Sequence, residues 1–175
     1  MAGKLTTTPH KFSIGGIKFS QELVHINVSP GKLSDFSFSD LLHCIAEKKI
    51  NIPFISHATT PEYDKVAFCL TNEDFDLLQS ILNSSFNSPR IRITKRVGTL
   101  TIFPHKNNFL LLGNIISLFG KYNFPLYSLS TSISAIALNT DFMQLDNVVE
   151  KLDALIMLPE NHAPFRQEFC LKQMN

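Results

Sequence analysis

The sequence has no tryptophan, only seven glycines and three cysteines, and no charge excess of either sign. Each shortage removes a class of protein. Cys44, Cys69 and Cys170 lie far apart with no C-x-x-C spacing, so neither a disulfide scaffold nor a zinc site is expected, and the thiols read as buried and reduced. Lys+Arg number 16 against 15 Asp+Glu, a formal net charge of +1. Nucleic-acid binding draws on clustered cations that release counterions. The densest basic run, Arg90, Arg92, Lys95 and Arg96, falls by strand alternation mostly on one solvated face, so no nucleic-acid partner is expected. A long apolar run is missing too: a spanning helix needs roughly 18 such residues, and Phe109 to Ile116 is interrupted by Gly113 and Asn114. The opening Met-Ala-Gly-Lys-Leu-Thr-Thr-Thr has no hydrophobic signal core, and Ala2 stands where myristoylation needs glycine. A cytoplasmic protein with no membrane partner is the expectation.

Catalytic and cofactor signatures are equally sparse. Gly15-Gly16 lacks the third glycine and the following helix of a dinucleotide loop, and reads as a turn before a strand. His25, His43, His57, His105 and His162 have neither the helical spacing nor the accompanying carboxylates of a metal set. No G-x-S-x-G elbow pairs a nucleophile with a base. A non-enzyme with no metal and no cofactor is expected. The fifteen Phe and three Tyr lack the basic-aromatic strand motif of RNA-binding βαββαβ modules and read as core.

What is present is a core and a repeat. The chain is 44% apolar and 18% charged, enough apolar surface to offset the entropy of folding. Residues 49 to 56, Lys-Ile-Asn-Ile-Pro-Phe-Ile-Ser, and residues 121 to 128, Lys-Tyr-Asn-Phe-Pro-Leu-Tyr-Ser, share the pattern K-x-N-x-P-x-x-S, with Lys121 standing 72 positions after Lys49. Dropping about four residues near Pro61 to Asp64 then lays Val66 to Glu73 over Ser134 to Asp141, a length change of the kind surface hairpins tolerate.

Each copy parses into the same elements. Ser20 to Ser29 alternates Val24, Ile26 and Val28 against Leu23, His25 and Asn27, a strand with one apolar face. Ser37 or Ser39 can cap a helix carrying Leu41, Leu42, Ile45 and Ala46. Strands are expected at 52–58 and 66–70, then a helix capped by Asn72 and running through Phe86 with Glu73 and Asp74 in its first turn, and a strand at 89–95. In the second copy the spacing predicts a strand at 97–103, a helix after Asn107 or Asn108 ending near Tyr122, a hairpin of 125–132 and 135–139, a helix from Asp141 to Leu155, and a last strand at Gln167 to Leu171. The fold class is α+β: two tandem ferredoxin-like βαββαβ repeats, antiparallel sheets with helices on one face. The expected division is a tail at 1–14, a first repeat at 15–95 and a second at 96–175.

The strand, loop and helix ending in Lys-Lys-Ile-Asn-Ile resemble the ACT domain, the amino-acid-sensing module of metabolic enzymes. Gly15-Gly16-Ile17 before the first strand, the tandem copies, and Tyr122 to Ser132 followed by Ala135-Ile136-Ala137-Leu138 resemble the regulatory region of aspartate kinase, without its kinase domain. The resemblance implies dimers built by pairing sheets, and an amino acid bound between repeats. It also implies ligand contacts in the loop before the first helix and near the second strand. In copy one these are Ser34, Asp35, Phe36 and Ser37 with Asn51 and Ile52. In copy two they are Asn107, Asn108, Leu110 and Leu111 with Leu126, Tyr127, Ser132 and Ile133. A helix N-terminus suits a carboxylate, and carbonyls at a strand end suit an ammonium.

The expected function is a non-catalytic regulatory module that senses an amino acid at a repeat or dimer interface, with a second copy of the chain and a metabolic enzyme such as an aspartate kinase as its expected partners. The alternative is a degenerate ACT protein that serves only assembly, or a regulatory subunit of an aspartate kinase. No carboxylate occurs between Asn51 and Thr60 or between Asn123 and Asn139, which favours the alternative; Asn51, Asn123 and the Ser130 to Ser132 run favour sensing. Asn51 and Asn123 also suit a left-handed turn after a helix.

Overall fold

The computed structural model describes residues 11–28, 37–59, 64–85, 91–105 and 108–160. Strands β1 (Phe12–Ser13) and β2 (Gly16–Phe19) lead into β3 (Leu23–Val28), α1 (Phe38–Glu47), β4 (Phe54–Thr59), β5 (Asp64–Thr71) and α2 (Asn72–Ser85). A long β6 (Ile91–Phe103) opens the second half. It continues through α3 (Phe109–Tyr122), β7 (Ser128–Thr131), β8 (Ile136–Asp141), a 3₁₀ turn at Phe142–Gln144, α4 (Leu145–Leu152) and β9 (Ile156–Met157). The class is α+β with two ferredoxin-like repeats in tandem. The strand expected at Gln167 to Leu171 lies outside the described residues.

Local chemistry sets the helix starts. Ser37 Oγ accepts the Asp40 N–H of α1 at 3.2 Å, Asn108 Oδ1 accepts the Leu111 N–H of α3 at 3.1 Å, and Asp141 Oδ1 accepts the Met143 N–H at 2.8 Å. Each satisfies one of the amides that a helix N-terminus leaves without a partner. The apolar stripes then turn inward: Leu41 and Ile45 of α1 join Leu78 and Leu82 of α2 over Val24, Ile26 and Phe68. In the second half Leu111, Ile115 and Phe119 of α3 join Val148 and Leu152 of α4 over Leu100, Ile102 and Leu138. Among the described residues no helix is long and apolar enough to cross a membrane.

The main sheet runs β4-β5-β3-β6-β8-β7, with β2 also on β6. The first half of β6 is therefore the fourth strand of repeat one, beside β3. Its second half is the first strand of repeat two, beside β8. The fourth strand of repeat two comes from the amino-terminal side: Gly16–Phe19 pairs antiparallel with Leu100 to Phe103. This pairing crosses the boundary that the sequence places between residues 95 and 96. Residues 12 and 13, expected in a tail, pair in parallel with Ile156 and Met157. Gly15 reflects the same approach, because a Cβ there would overlap Pro104 Cδ.

The pairing of β3 with β6 slips once: Leu23 faces Val97 and His25 faces Thr94, so two residues of β6 stand against one of β3. Arg96, in this bulge, has φ 59°. A bulge bends its strand and increases local twist, so one strand serves two sheets and the far edges β4 and β7 come into contact. The faces turned away from the helices thus meet. Leu23, Phe54 and Cys69 of repeat one pack there with Ala137 of repeat two. The expectation that β3 has a single apolar face needs correcting: Leu23 and His25 are as buried as Val24 and Ile26, because the second repeat covers what would otherwise be the wet side. Burial pushes the Cys69 thiol up to about 12, the mark of an inert core cysteine.

The repeat is real, but its register differs by two residues from the sequence alignment. Leu23 pairs with Thr71 and Phe54 with Cys69 in repeat one, as Val97 pairs with Asp141 and Ser128 with Asn139 in repeat two. Phe54 therefore corresponds to Ser128, and Cys69 to Asn139. The four-residue hairpin difference survives, and the K-x-N-x-P-x-x-S match does not mark structurally equivalent positions.

Candidate functional site

In repeat one, Ser37 is the α1 cap and its hydroxyl is engaged with Asp40. Ser34, Asp35 and Phe36 lie outside the described residues. Asn51 is exposed, and Ile52 packs against the core under the helices. The ten residues of α1 span about 15 Å, which places Ser37 and the Asn51-Ile52 pair at opposite ends of the repeat. The left-handed residue that ends α1 is Lys49, at φ 58°; its N–H donates to Ala46 O at 2.9 Å, and the Ile50 N–H to Ile45 O at 3.2 Å. Asn51 does not hold that turn. In repeat two Asn123 does, at φ 55°, with the Phe124 N–H donating to Phe119 O at 3.0 Å.

The repeat-two candidates fall into two groups. Asn108, Leu110, Ser132 and Ile133 gather at one end, where β6 enters α3 and β7 turns into β8. Asn107 lies outside the described residues, and the Leu111 side chain is wholly in the core. This end is tied by His105, which the sequence reading treats only as an unsuitable metal ligand. Its ring Nε2 lies 2.9 Å from Ser132 O, its N–H donates to Ser134 O at 3.2 Å, and its carbonyl accepts the Asn108 N–H at 3.0 Å. Ser132 Oγ accepts the Ala135 N–H at 3.1 Å and closes the hairpin tip.

Leu126 and Tyr127 stand at the other end of β7. The Tyr127 N–H donates to Asn139 O at 2.8 Å, and its ring centroid is 6.1 Å from that of His25. Burial, with Asp141 second, raises the Tyr127 phenol above its ordinary value. Beside it a polar chain joins the two repeats. His25 Nε2 lies 3.0 Å from Ser128 Oγ, Asn139 Nδ2 donates to the same oxygen at 2.7 Å, and Thr99 Oγ1 donates to Asn139 Oδ1 at 2.6 Å. Burial holds the His25 imidazole below its ordinary pKa. No local motif signals this chain, since its members come from four strands.

Among the described residues no three His, Cys, Asp or Glu side chains converge as a metal set would. A cavity of about 260 Å³ opens elsewhere, between α3 and α4, lined by Asn114, Ser117, Lys121, Tyr122, Lys151 and Leu155 among others. None of the candidate positions from the sequence lines it.

The fold has solved counterparts. The chain is similar to the aspartokinase α and β subunits, at 16% identity over 81% of this chain and 97% of that one, TM-score 0.68. It is similar to the regulatory subunit of aspartate kinase from Thermus flavus, at 9% identity over 80% and 96%, TM-score 0.65. Aspartokinase III of E. coli in complex with lysine and aspartate matches at 16% identity over 86% of this chain and 34% of that one, TM-score 0.57. No family model and no curated protein matches the sequence. On βαββαβ repeats that share one bent strand, and on these likenesses, the chain has the fold of the tandem ACT regulatory region of aspartate kinase.

Proposed function

We propose that the chain is a non-catalytic regulatory module of the cytoplasm that senses a free amino acid at an interface of its ACT-like repeats, within one chain or between two chains of a homodimer. The observation that carries this reading is coverage: the chain spans 96% of a regulatory subunit of aspartate kinase, so it corresponds to a whole regulatory unit. A similar solved structure is an aspartokinase in complex with lysine and aspartate, which supports an amino acid as the class of signal. The division at residues 15–95 and 96–175 belongs to the proposal, with Gly16–Phe19 serving the second unit. Regulation requires the ligand to bind one arrangement of the units better than another.

A thermal melt of the full chain against the common amino acids, read with an extrinsic dye because tryptophan is absent, tests the reading. A ligand at 100 times its dissociation constant adds about 2.7 kcal/mol. For a chain of this size that raises the midpoint by about 5 to 10 °C. A flat panel at millimolar concentrations sinks the sensor. The second reading, a regulatory subunit of a separate aspartate kinase, is favoured by the match to a structure described as the regulatory subunit of aspartate kinase. Mixing with such a kinase tests it: unchanged activity and no complex on gel filtration exclude that reading.

A further inference from the structure

Of the 14 residues of α3, only Asn114, Ser117, Lys121 and Tyr122 carry a polar side-chain atom, and all of them line the cavity between α3 and α4. Positions 114, 117 and 121 stand three and four apart, so they form one stripe along the helix. Elsewhere the helix turns apolar side chains to water: Phe109, Leu110 and Ile116 are 71%, 67% and 46% exposed. An ordinary surface helix does the reverse and spreads its polar residues over the face in open solvent. α4 is sorted in the same way by charge. Asp146 and Glu150 of α4, and Asp153 beyond it, stay off the cavity wall, whereas Lys151 lines it.

Every charged group on that wall is therefore positive. Lys121 Nζ lies 5.2 Å and Lys151 Nζ 5.8 Å from the centroid of the Tyr122 ring, so ammonium groups from two helices converge on one side chain. Lys151 Nζ donates to Glu150 Oε1 at 2.6 Å, which leaves its other N–H bonds free. Lys121 has no ion pair among the described residues, and Asp153 pairs with Lys11 instead. Ammonium groups gathered in this way repel one another, and an anion between them removes that cost. A lysine in the last turn also suits the negative end of a helix; this accounts for the sign of Lys121 and Lys151 but not for Asn114 and Ser117. The remaining wall is apolar, from Leu118, Ala154 and Leu155. At about 260 Å³ the cavity falls just below the roughly 300–1,000 Å³ of sites for drug-sized molecules, which suits a small metabolite.

We infer that this cavity binds a small phosphate monoester with a compact apolar body. A phosphate carries close to two negative charges at neutral pH and presents three acceptor oxygens in one group, which matches Lys121, Lys151 and the Ser117 hydroxyl. The body lies on Leu118, Ala154 and Leu155. Its far end reaches Asn114, about 10 Å along α3 from Lys121 at 1.5 Å per residue. None of the positions assigned to the amino acid lines this cavity, so the site is additional to the sensing reading and independent of it.

Calorimetric titration of the full chain with phenyl phosphate, inorganic phosphate and benzoate tests both halves of the ligand. Phenyl phosphate binds at least tenfold tighter than inorganic phosphate, which has no body, and than benzoate, which has a single charge. Amide resonances that move on its addition gather at residues 114–122 and 151–155. Lys121→Gln and Lys151→Gln each weaken binding threefold or more, while Lys48→Gln, at an exposed position closing α1, leaves it unchanged. Ala154→Phe, also at an exposed position, fills the cavity and abolishes binding, and thermal melts confirm that each variant is folded. Inorganic phosphate or benzoate binding as tightly as phenyl phosphate overturns the ligand class. Equal weakening in Lys48→Gln, or resonance shifts scattered over the surface, marks diffuse attraction to lysines and overturns the site, as does the absence of binding at millimolar phenyl phosphate. Each of these outcomes leaves the amino-acid reading to its own melting test.

Discussion

His25 on β3 and Ser128 on β7 are 103 residues apart in sequence, and their side chains meet at 3.0 Å between the two repeats. Ser128 Oγ is also held by Asn139, so the imidazole completes a chain that begins at Thr99. Replacing His25 by Ala leaves buried polar groups short of a partner, and the expected loss is about 1–3 kcal/mol of stability, read by urea unfolding. A loss within experimental error means that the chain does not hold the repeats together.

The same residue gives a pH dependence with a definite sign. Burial holds the folded-state pKa of His25 below 6.5, so in the window below 6.5 the unfolded chain takes a proton that the folded one refuses. Stability is full above that window and falls as the pH drops through it. The slope between pH 7 and 5 is smaller in His25→Gln than in the wild type. Equal slopes place the titration elsewhere.

Two glycines should respond in opposite directions. A Cβ on Gly98 would overlap Leu145 Cδ1, and Leu145 is fully buried with nowhere to retreat. Gly98→Ala is expected to lose about 1–3 kcal/mol. Gly113 on α3 has nothing within 4 Å of such an atom and no positive φ, so Gly113→Ala gains about 0.4–1 kcal/mol. Calorimetric melting of both variants checks the pair.

The two asparagines that look equivalent in sequence are expected to differ. Asn123 sits in the left-handed region at φ 55°, and Asn123→Ala should lose about 1 kcal/mol. Asn51 is exposed and holds no such turn, so Asn51→Ala should stay within about 0.5 kcal/mol of wild type. Equal losses would contradict the register described above.

Ile17 tests the strand lent to repeat two. It is buried in the core of that repeat, with Leu100, Ile102 and Ile115, and pairs with Ile102. Ile17→Ala should cost about 2–5 kcal/mol, and hydrogen exchange should show faster opening of Leu100 to Phe103 than of β3. If β3 alone is loosened, residues 16–19 serve repeat one.

The sequence by itself determined the elements and their inner faces. Period-two alternation in Val24 to Val28, the apolar run Val66 to Leu70, apolar spacing in the four helices, and capping side chains at Ser37 and Asn108 are local signals, and the structure has an element at each. It also carried the duplication and, through the resemblance, the ACT fold. The register of the repeat was beyond it, because a slip of two residues keeps every side chain on its face and leaves the apolar pattern unchanged. The partner of Gly16–Phe19 was beyond it too: a strand's sequence does not state which distant edge it joins. Only the bend at Arg96 and the closure of β4 on β7 decided that His25 meets Ser128 and that the second face of β3 is buried. These are consequences of long-range packing, in which residues far apart in the chain are brought together by the twist of a shared sheet.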